Sequence, residues 1–233
     1  MIYNNRKVQV LNFCTFSTED YNMIKLICFD LDGVLADLCE SHKESLNSAI
    51  KKIAGSQFMI LDSEHYTMYN GLSTKKKLTM LVKHKNLNSE LVEKIHNLKQ
   101  KLTIKEIKNK IKVNDKLIND LKKLKSENYQ LACVSNAVYK TVKTSLKKLG
   151  VLNLFDYILS NESVKRQKPF PDLYLQAMIY AGVDCKETLI LEDSDIGIQA
   201  AIASRGYVLR VSSDTTETNY ENINNKIIDI TNY

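Results

Sequence analysis

Five short runs of apolar residues, rich in β-branched and aromatic side chains, recur along this chain, and their spacing limits what it can fold into. They are Ile24–Phe29 (IKLICF), Tyr129–Val134, Tyr157–Leu159, Thr188–Leu191 and Tyr207–Val211. A run that is apolar throughout, bounded by polar turns, reads as a strand buried on both faces. Between the later runs stand helical patterns over Val138–Leu149, Asp172–Ala181 and Ile196–Ser204. Strands that alternate with helices build βαβ units. The expected fold is therefore α/β, a doubly wound, Rossmann-like parallel sheet.

One stretch breaks this rhythm. From Leu38 to Lys112 the apolar residues fall at helical intervals, as in Leu91, Ile95, Leu98 and Leu102, and no strand pattern appears. Gly71 and Gly150 bracket a long span with neither glycine nor proline. A helical insert directly after the first strand is the reading, with the Leu/Ile stripe as its core. The expected division is an N-terminal extension over 1–22, a sheet core over 23–37 and 113–233, and the helical insert over 38–112. Met23 looks like the natural start of the first strand, and the extension carries no recognisable motif.

Composition excludes several classes. A chain of 233 residues with 44% hydrophobic and 26% charged residues is neither disordered nor collagen-like. No run approaches the roughly 18 apolar residues of a membrane span, and the N-terminus lacks the apolar region of a secretory signal. Five widely spaced cysteines without a C-x-x-C pair fit neither a disulfide framework nor a zinc site, and they suit a reducing cytoplasm. With seven glycines the chain has no G-x-G-x-x-G and no Walker loop. Fourteen lysines against five acids lie between Lys51 and Lys112, so the insert alone exceeds the chain's net charge of +6 and the remainder is net acidic. Such an insert can draw in anionic substrates or nucleic acid, or can simply be a set of solvated helix faces.

Chemistry concentrates where strands end. Asp30-Leu31-Asp32-Gly33 follows the first strand, and in open α/β sheets ligands bind beyond the carboxyl ends of strands. Alone, the pattern is also that of a turn. Three further segments accompany it: Ser135-Asn136 after the second strand, Lys168 before Pro169 and the helix at Asp172, and Glu192-Asp193-Ser194 with Gly197 after the fourth. Each has a plainer role as a helix cap or surface charge, but together and in order they form a constellation.

In these four motifs the chain resembles the haloacid dehalogenase superfamily of phosphohydrolases, over roughly residues 24–211. The helical insert, with its Asn70–Thr74 loop, resembles the cap domain of the subgroup that includes phosphoglycolate phosphatase-like and β-phosphoglucomutase-like enzymes. The resemblance implies a Mg²⁺-dependent phosphatase acting on a small phosphorylated metabolite. Asp30 would be the nucleophile and Asp32 the general acid and base. Ser135, Asn136 and Lys168 would hold the phosphoryl group, while Asp30, the Asp32 carbonyl, Asp193 and Glu192 would hold the metal.

Within the cap, His42, Ser73, Thr74, Lys75 and Lys76 are the candidates for substrate contact. Mutases of this type carry an arginine at the position of Thr74 and tend to carry a threonine at that of Leu38. Lysine lacks arginine's planar fork, so the alternative of a phosphomutase is the weaker one. A non-catalytic nucleic-acid or partner-binding module is the remaining alternative, and the four motifs argue against it.

Overall fold

The computed structural model describes residues 24–69 and 71–232, so the expected extension over 1–22 and Asn70 of the cap loop lie outside the described residues. Five strands, β1 (Leu26–Phe29), β2 (Gln130–Val134), β3 (Tyr157–Leu159), β4 (Thr188–Glu192) and β5 (Tyr207–Arg210), pair in the order β3-β2-β1-β4-β5. Every pairing is parallel. The sheet matches the expected fold, and each strand lies within a residue or two of its apolar run. Strand order reverses at β1, which lies between β2 and β4, and this places a crevice beyond the carboxyl ends of β1 and β4.

The two-residue period of the strands divides the core into two layers. Ile27, Phe29, Leu131, Cys133, Leu189 and Leu191 face one side. There they pack against α5 (Asp115–Ser126), α6 (Tyr139–Leu149) and α9 (Tyr220–Thr231) through Leu117, Leu121, Leu146 and Ile227. Leu26, Cys28, Ala132, Val134 and Ile190 face the other side, against α7 (Asp172–Ala181) and α8 (Asp195–Ala203). Small residues in α8, Ala200 and Ala201, let that helix approach the sheet closely. Helix α5 lies outside the elements expected from the sequence, while the tail after Val211, expected as a last helix or strand, is the helix α9. Cys28, Cys39, Cys133 and Cys185 are free thiols. Among the described residues no helix is long and apolar enough to cross a membrane.

Between β1 and β2 the chain is helical, as expected of the insert: α1 (Cys39–Ile53), α2 (Asp62–Tyr66), α3 (Thr74–Lys85) and α4 (Val92–Lys110). These helices have a core of their own, built on Leu46, Ile50, Ile60, Tyr69, Leu78, Leu81 and Ile95, with Leu91, Leu98 and Leu102 packed against it. The last turn of α4 and the start of α1 reach back to the sheet, where Ile107 and Leu38 join the first core layer. The insert thus roofs the crevice at the end of β1.

Candidate active site

A cavity of about 700 Å³ lies between the strand ends and this roof, and it is lined from both sides. Its floor begins at Asp30, which is only 8% exposed. The chain leaves β1 and turns at once: Gly33 donates to the Ala36 carbonyl, and Leu35 and Ala36 donate to that of Leu31. Gly33 has φ +89°, a conformation that favours glycine, and a Cβ there would overlap the Asp193 carboxylate. The turn brings the Asp32 N–H to Asp30 Oδ2 at 2.9 Å, while Asp32 Oδ1 accepts from the Leu38 N–H at 2.9 Å. Both carboxylates therefore border one cavity.

Lys168 reaches the same point from the loop before α7. Its buried ammonium donates to Asp30 Oδ1 at 2.6 Å, Glu192 Oε1 at 2.6 Å and the Val134 carbonyl at 2.8 Å. Asn136 fixes that loop by accepting from the Lys168 N–H and donating to the carbonyls of Lys168 and of Gly71 in the cap loop. Ser135 is buried beside it and lines the cavity, and its Oγ accepts from the Ala137 N–H, which leaves the hydroxyl proton free to point outward. The hydroxyl, the loop-fixing amide and the ammonium thus line the same cavity as Asp30.

Beyond β4 the two acids differ. Glu192 is fully buried, with Oε1 bonded to Lys168 and to the Tyr174 hydroxyl at 2.5 Å and Oε2 approached by Ser194 Oγ. Gly197 makes room for it: a Cβ there would occupy the position of the Glu192 carboxylate. Asp193 lines the cavity, and its buried Oδ1 has no hydrogen-bond partner among the described residues. Asp30, Glu192 and Asp193 each offer a carboxylate oxygen within 4.8 Å of the others. Such an oxygen-only cluster, with one oxygen unpartnered, can accept a hard divalent cation.

The protonation equilibria agree. Burial raises the Asp30 carboxyl well above the usual carboxylate range; Lys168 opposes the rise and the Glu192 and Asp193 charges add to it. Asp193 is pushed up to about 6 by burial and by Glu192. Asp32 is pushed up to about 7, chiefly by burial, with the Leu38 N–H opposing. A carboxyl poised there can give or take a proton near neutrality. Lys168 is held above its ordinary value: burial alone would lower it, but Asp30 and Glu192 outweigh that.

Not all the cap residues expected at the site reach it. His42, Ser73 and Thr74 line the cavity. Lys75 is 65% exposed, 3.9 Å from Glu93, and neither it nor Lys76 reaches the lining. Helical geometry is the reason: with Thr74 turned inward, the neighbouring position on that face of α3 is three residues on, at Lys77. Lys77 lines the cavity, as do Lys99, His65 and Gln100, none of which sequence reasoning singled out. His42 bridges the two halves, with Nδ1 3.1 Å from Lys99 Nζ and Nε2 3.6 Å from Asp32 Oδ2. Its pKa is well below the usual histidine value, because of burial and the Lys99 and Lys77 charges.

Comparisons with known proteins agree with this architecture. The phosphoglycolate phosphatase of Aquifex aeolicus is 27% identical over 195 residues, covering 79% of this chain and 87% of that protein. The β-phosphoglucomutase of Bacillus subtilis is 27% identical over 191 residues, covering 78% and 80%. A crystal structure of a β-phosphoglucomutase from Clostridium difficile superimposes with a TM-score of 0.75 at 22% identity, covering 89% of this chain and 98% of that one. A family profile described as haloacid dehalogenase-like hydrolase matches residues 27–211, from the second residue of β1 through the helical insert to the end of β5, and the chain belongs to that family.

Proposed function

We propose that this protein is a divalent-cation-dependent phosphatase, with Mg²⁺ as the cation, that hydrolyses a small phosphate monoester through a phosphorylated Asp30. The observation that carries the reading is the convergence on Asp30 of Lys168 at 2.6 Å, the Asp32 N–H at 2.9 Å and the Asp193 carboxylate, whose Oδ1 is unpartnered among the described residues. Asp30, Asp193 and the Asp32 main-chain carbonyl would hold the cation, with Glu192 behind them. A bound Mg²⁺ supplies positive charge that offsets repulsion between the carboxylate and the phosphate dianion.

The protein's own groups do the rest. An Asp30 carboxylate oxygen attacks phosphorus, an aspartyl-phosphate bond forms and the bond to the leaving oxygen breaks. Asp32 gives its proton to that oxygen, so an alcohol departs. A water then attacks the same phosphorus, Asp32 takes its proton back from it, and phosphate leaves with Asp30 restored. Ser135, the Asn136 N–H and Lys168 hold the phosphoryl oxygens, so charge is stabilised by groups already in place. Residues 38–112 act as a cap that covers the site and excludes bulk water.

A phosphomutase remains the second reading, favoured by the kinship with the Bacillus subtilis enzyme named as one. Thr74, on the cavity wall where those mutases carry an arginine, weighs toward hydrolysis. The test is phosphate release from a panel of metabolite phosphates by wild type and Asp30→Asn, with and without Mg²⁺. The expected result is release that needs Mg²⁺ and is lost in Asp30→Asn. Isomerised sugar phosphate without net phosphate release would establish the mutase instead, and release unaffected by Asp30→Asn would overturn both.

A further inference from the structure

Every N–H of the Lys168 ammonium is engaged. An ammonium has three donors, and those of Lys168 go to Asp30 Oδ1 at 2.6 Å, Glu192 Oε1 at 2.6 Å and the Val134 carbonyl at 2.8 Å. To give an N–H to a phosphoryl oxygen, Lys168 must let one of these acceptors go. Releasing the neutral Val134 carbonyl would leave three anions against one ammonium. Releasing a buried carboxylate oxygen costs most where nothing else donates to it. Asp30 Oδ1 has no second donor among the described residues, whereas Glu192 Oε1 also accepts from the Tyr174 hydroxyl at 2.5 Å. Glu192 is therefore the carboxylate that Lys168 can leave, because the tyrosine stays on it.

The placement of Tyr174 fits this exchange. It lies on α7, six residues after Lys168, and is fully buried. Its ring faces the same ammonium, with Lys168 Nζ 4.8 Å from the centroid, a distance at which a cation is attracted to an aromatic face. The ammonium can thus turn an N–H away from Glu192 without leaving the ring. On the other oxygen of Glu192, Ser194 Oγ remains at 3.4 Å. A phenylalanine would fill the same space as Tyr174, so packing does not account for its hydroxyl, whose partner is Glu192.

We infer that Tyr174 is a positioning residue whose hydroxyl holds Glu192 while Lys168 turns one N–H from Glu192 onto the phosphoryl group. This deepens the phosphatase reading and rests on it. One hydrogen bond is exchanged for another and no atom is transferred. Lys168 keeps Asp30 and the Val134 carbonyl throughout, and the Glu192 carboxylate never lacks a donor.

The test is calorimetric titration of inorganic phosphate, at saturating Mg²⁺, into wild type and Tyr174→Phe, with Mg²⁺ also titrated alone into both. Tyr174→Phe removes one oxygen and keeps the ring. Phosphate affinity should fall roughly tenfold to a hundredfold, as expected for losing a hydrogen bond to a charged group. Mg²⁺ alone should bind both proteins alike, because Lys168 still holds Glu192 when no phosphate is present. A hydroxyl with a merely structural role would lower the melting temperature and leave phosphate affinity unchanged, and that result overturns the inference. A loss confined to Mg²⁺ affinity, or no phosphate binding by wild type, would overturn it too. Where Tyr174→Phe fails to fold, 3-fluorotyrosine introduced at Tyr174 takes its place: the stronger donor should raise phosphate affinity, and an unchanged or lower affinity contradicts the exchange. Because binding needs no turnover, the two readings fail separately. If wild type hydrolyses no ester, the phosphatase reading falls and the phosphate titration still decides Tyr174. If Tyr174→Phe binds phosphate and turns over as wild type does, the role of Tyr174 falls alone.

Discussion

Floor and roof of one cavity treat the same side chain in opposite ways. On the floor, Lys168 lies between Asp30 and Glu192, both at 2.6 Å, and these partners hold its proton more firmly than water would. On the roof, Lys99 is equally buried but touches only an imidazole, and its pKa falls to about 7. Burial penalises charge in both places; only the neighbours differ. A lysine whose charge is already matched orients its partners and stays put. One whose charge is unmatched keeps its interaction for whatever enters. The floor is thus pre-organised for a single chemical step, and the roof is left open for selection.

The largest expected effect sharpens the floor's side of this contrast. Asp32→Asn keeps the geometry of the turn but removes the proton donor, so kcat should fall roughly 10²–10⁴-fold while phosphate binding persists. Single-turnover kinetics with a phosphate-binding assay would show the split, and a loss of binding alone would assign Asp32 a different role.

A smaller effect probes the packing beneath. Gly197→Ala drives a methyl into the Glu192 carboxylate, which is fully buried and bonded to Lys168. Overpacking of this kind costs about 1–3 kcal/mol. The thermal midpoint and the rate should fall together, because Glu192 cannot move without releasing Lys168. Unchanged melting would show that the carboxylate has another place to go.

The roof should announce itself in pH. Lys99 faces His42 from α1, Lys77 from α3 and Asp32 from the floor. Its proton is held below about pH 7 and lost above it.

The smallest effect concerns stability. In the unfolded chain Lys99 titrates near its ordinary 10.5, and in the folded chain near 7, so between those values the unfolded state binds the extra proton. The burden of burying the charge is full below pH 7 and fades as pH rises toward 10.5. Lys99→Met should consequently stabilise the fold below pH 7, by about 1 kcal/mol or more, or roughly 2–4 °C in Tm, and less at pH 10. Destabilisation at pH 6 would mean that the ammonium has a partner on the roof after all.

Why the floor was legible in the sequence and the roof was not follows from the same contrast. Strand ends fix direction: a carboxylate just past an apolar strand in a parallel sheet borders the crevice, so Asp30, Ser135 and Asp193 could be placed from their runs alone. Helix faces need a register. In α3 the lysines at 75, 76 and 77 look equivalent, and only the inward turn of Thr74 shows that the third one matters. In α4 the visible stripe Leu91, Ile95, Leu98 and Leu102 packs the cap core, but a second stripe at four-residue spacing, Ile95, Lys99, Thr103 and Ile107, is the buried one. A lysine and a threonine within an apolar stripe were the available signal for Lys99. Helix α5 is harder to read because Lys, Asn and Asp crowd its exposed face, although Leu117, Leu121 and Leu124 keep helical spacing, and α9 is legible only as a last helix or strand after Val211.

Covalent phosphorylation of Asp30 is the step on which the proposed chemistry turns. Mass spectrometry of acid-quenched turnover mixtures tests it most directly, using wild type and Asp30→Asn. The predicted result is one added phosphoryl group on the peptide carrying Asp30 in wild type, absent from Asp30→Asn, which also releases no phosphate. Phosphate release by Asp30→Asn at the wild-type rate, with no adduct in either protein, would contradict it.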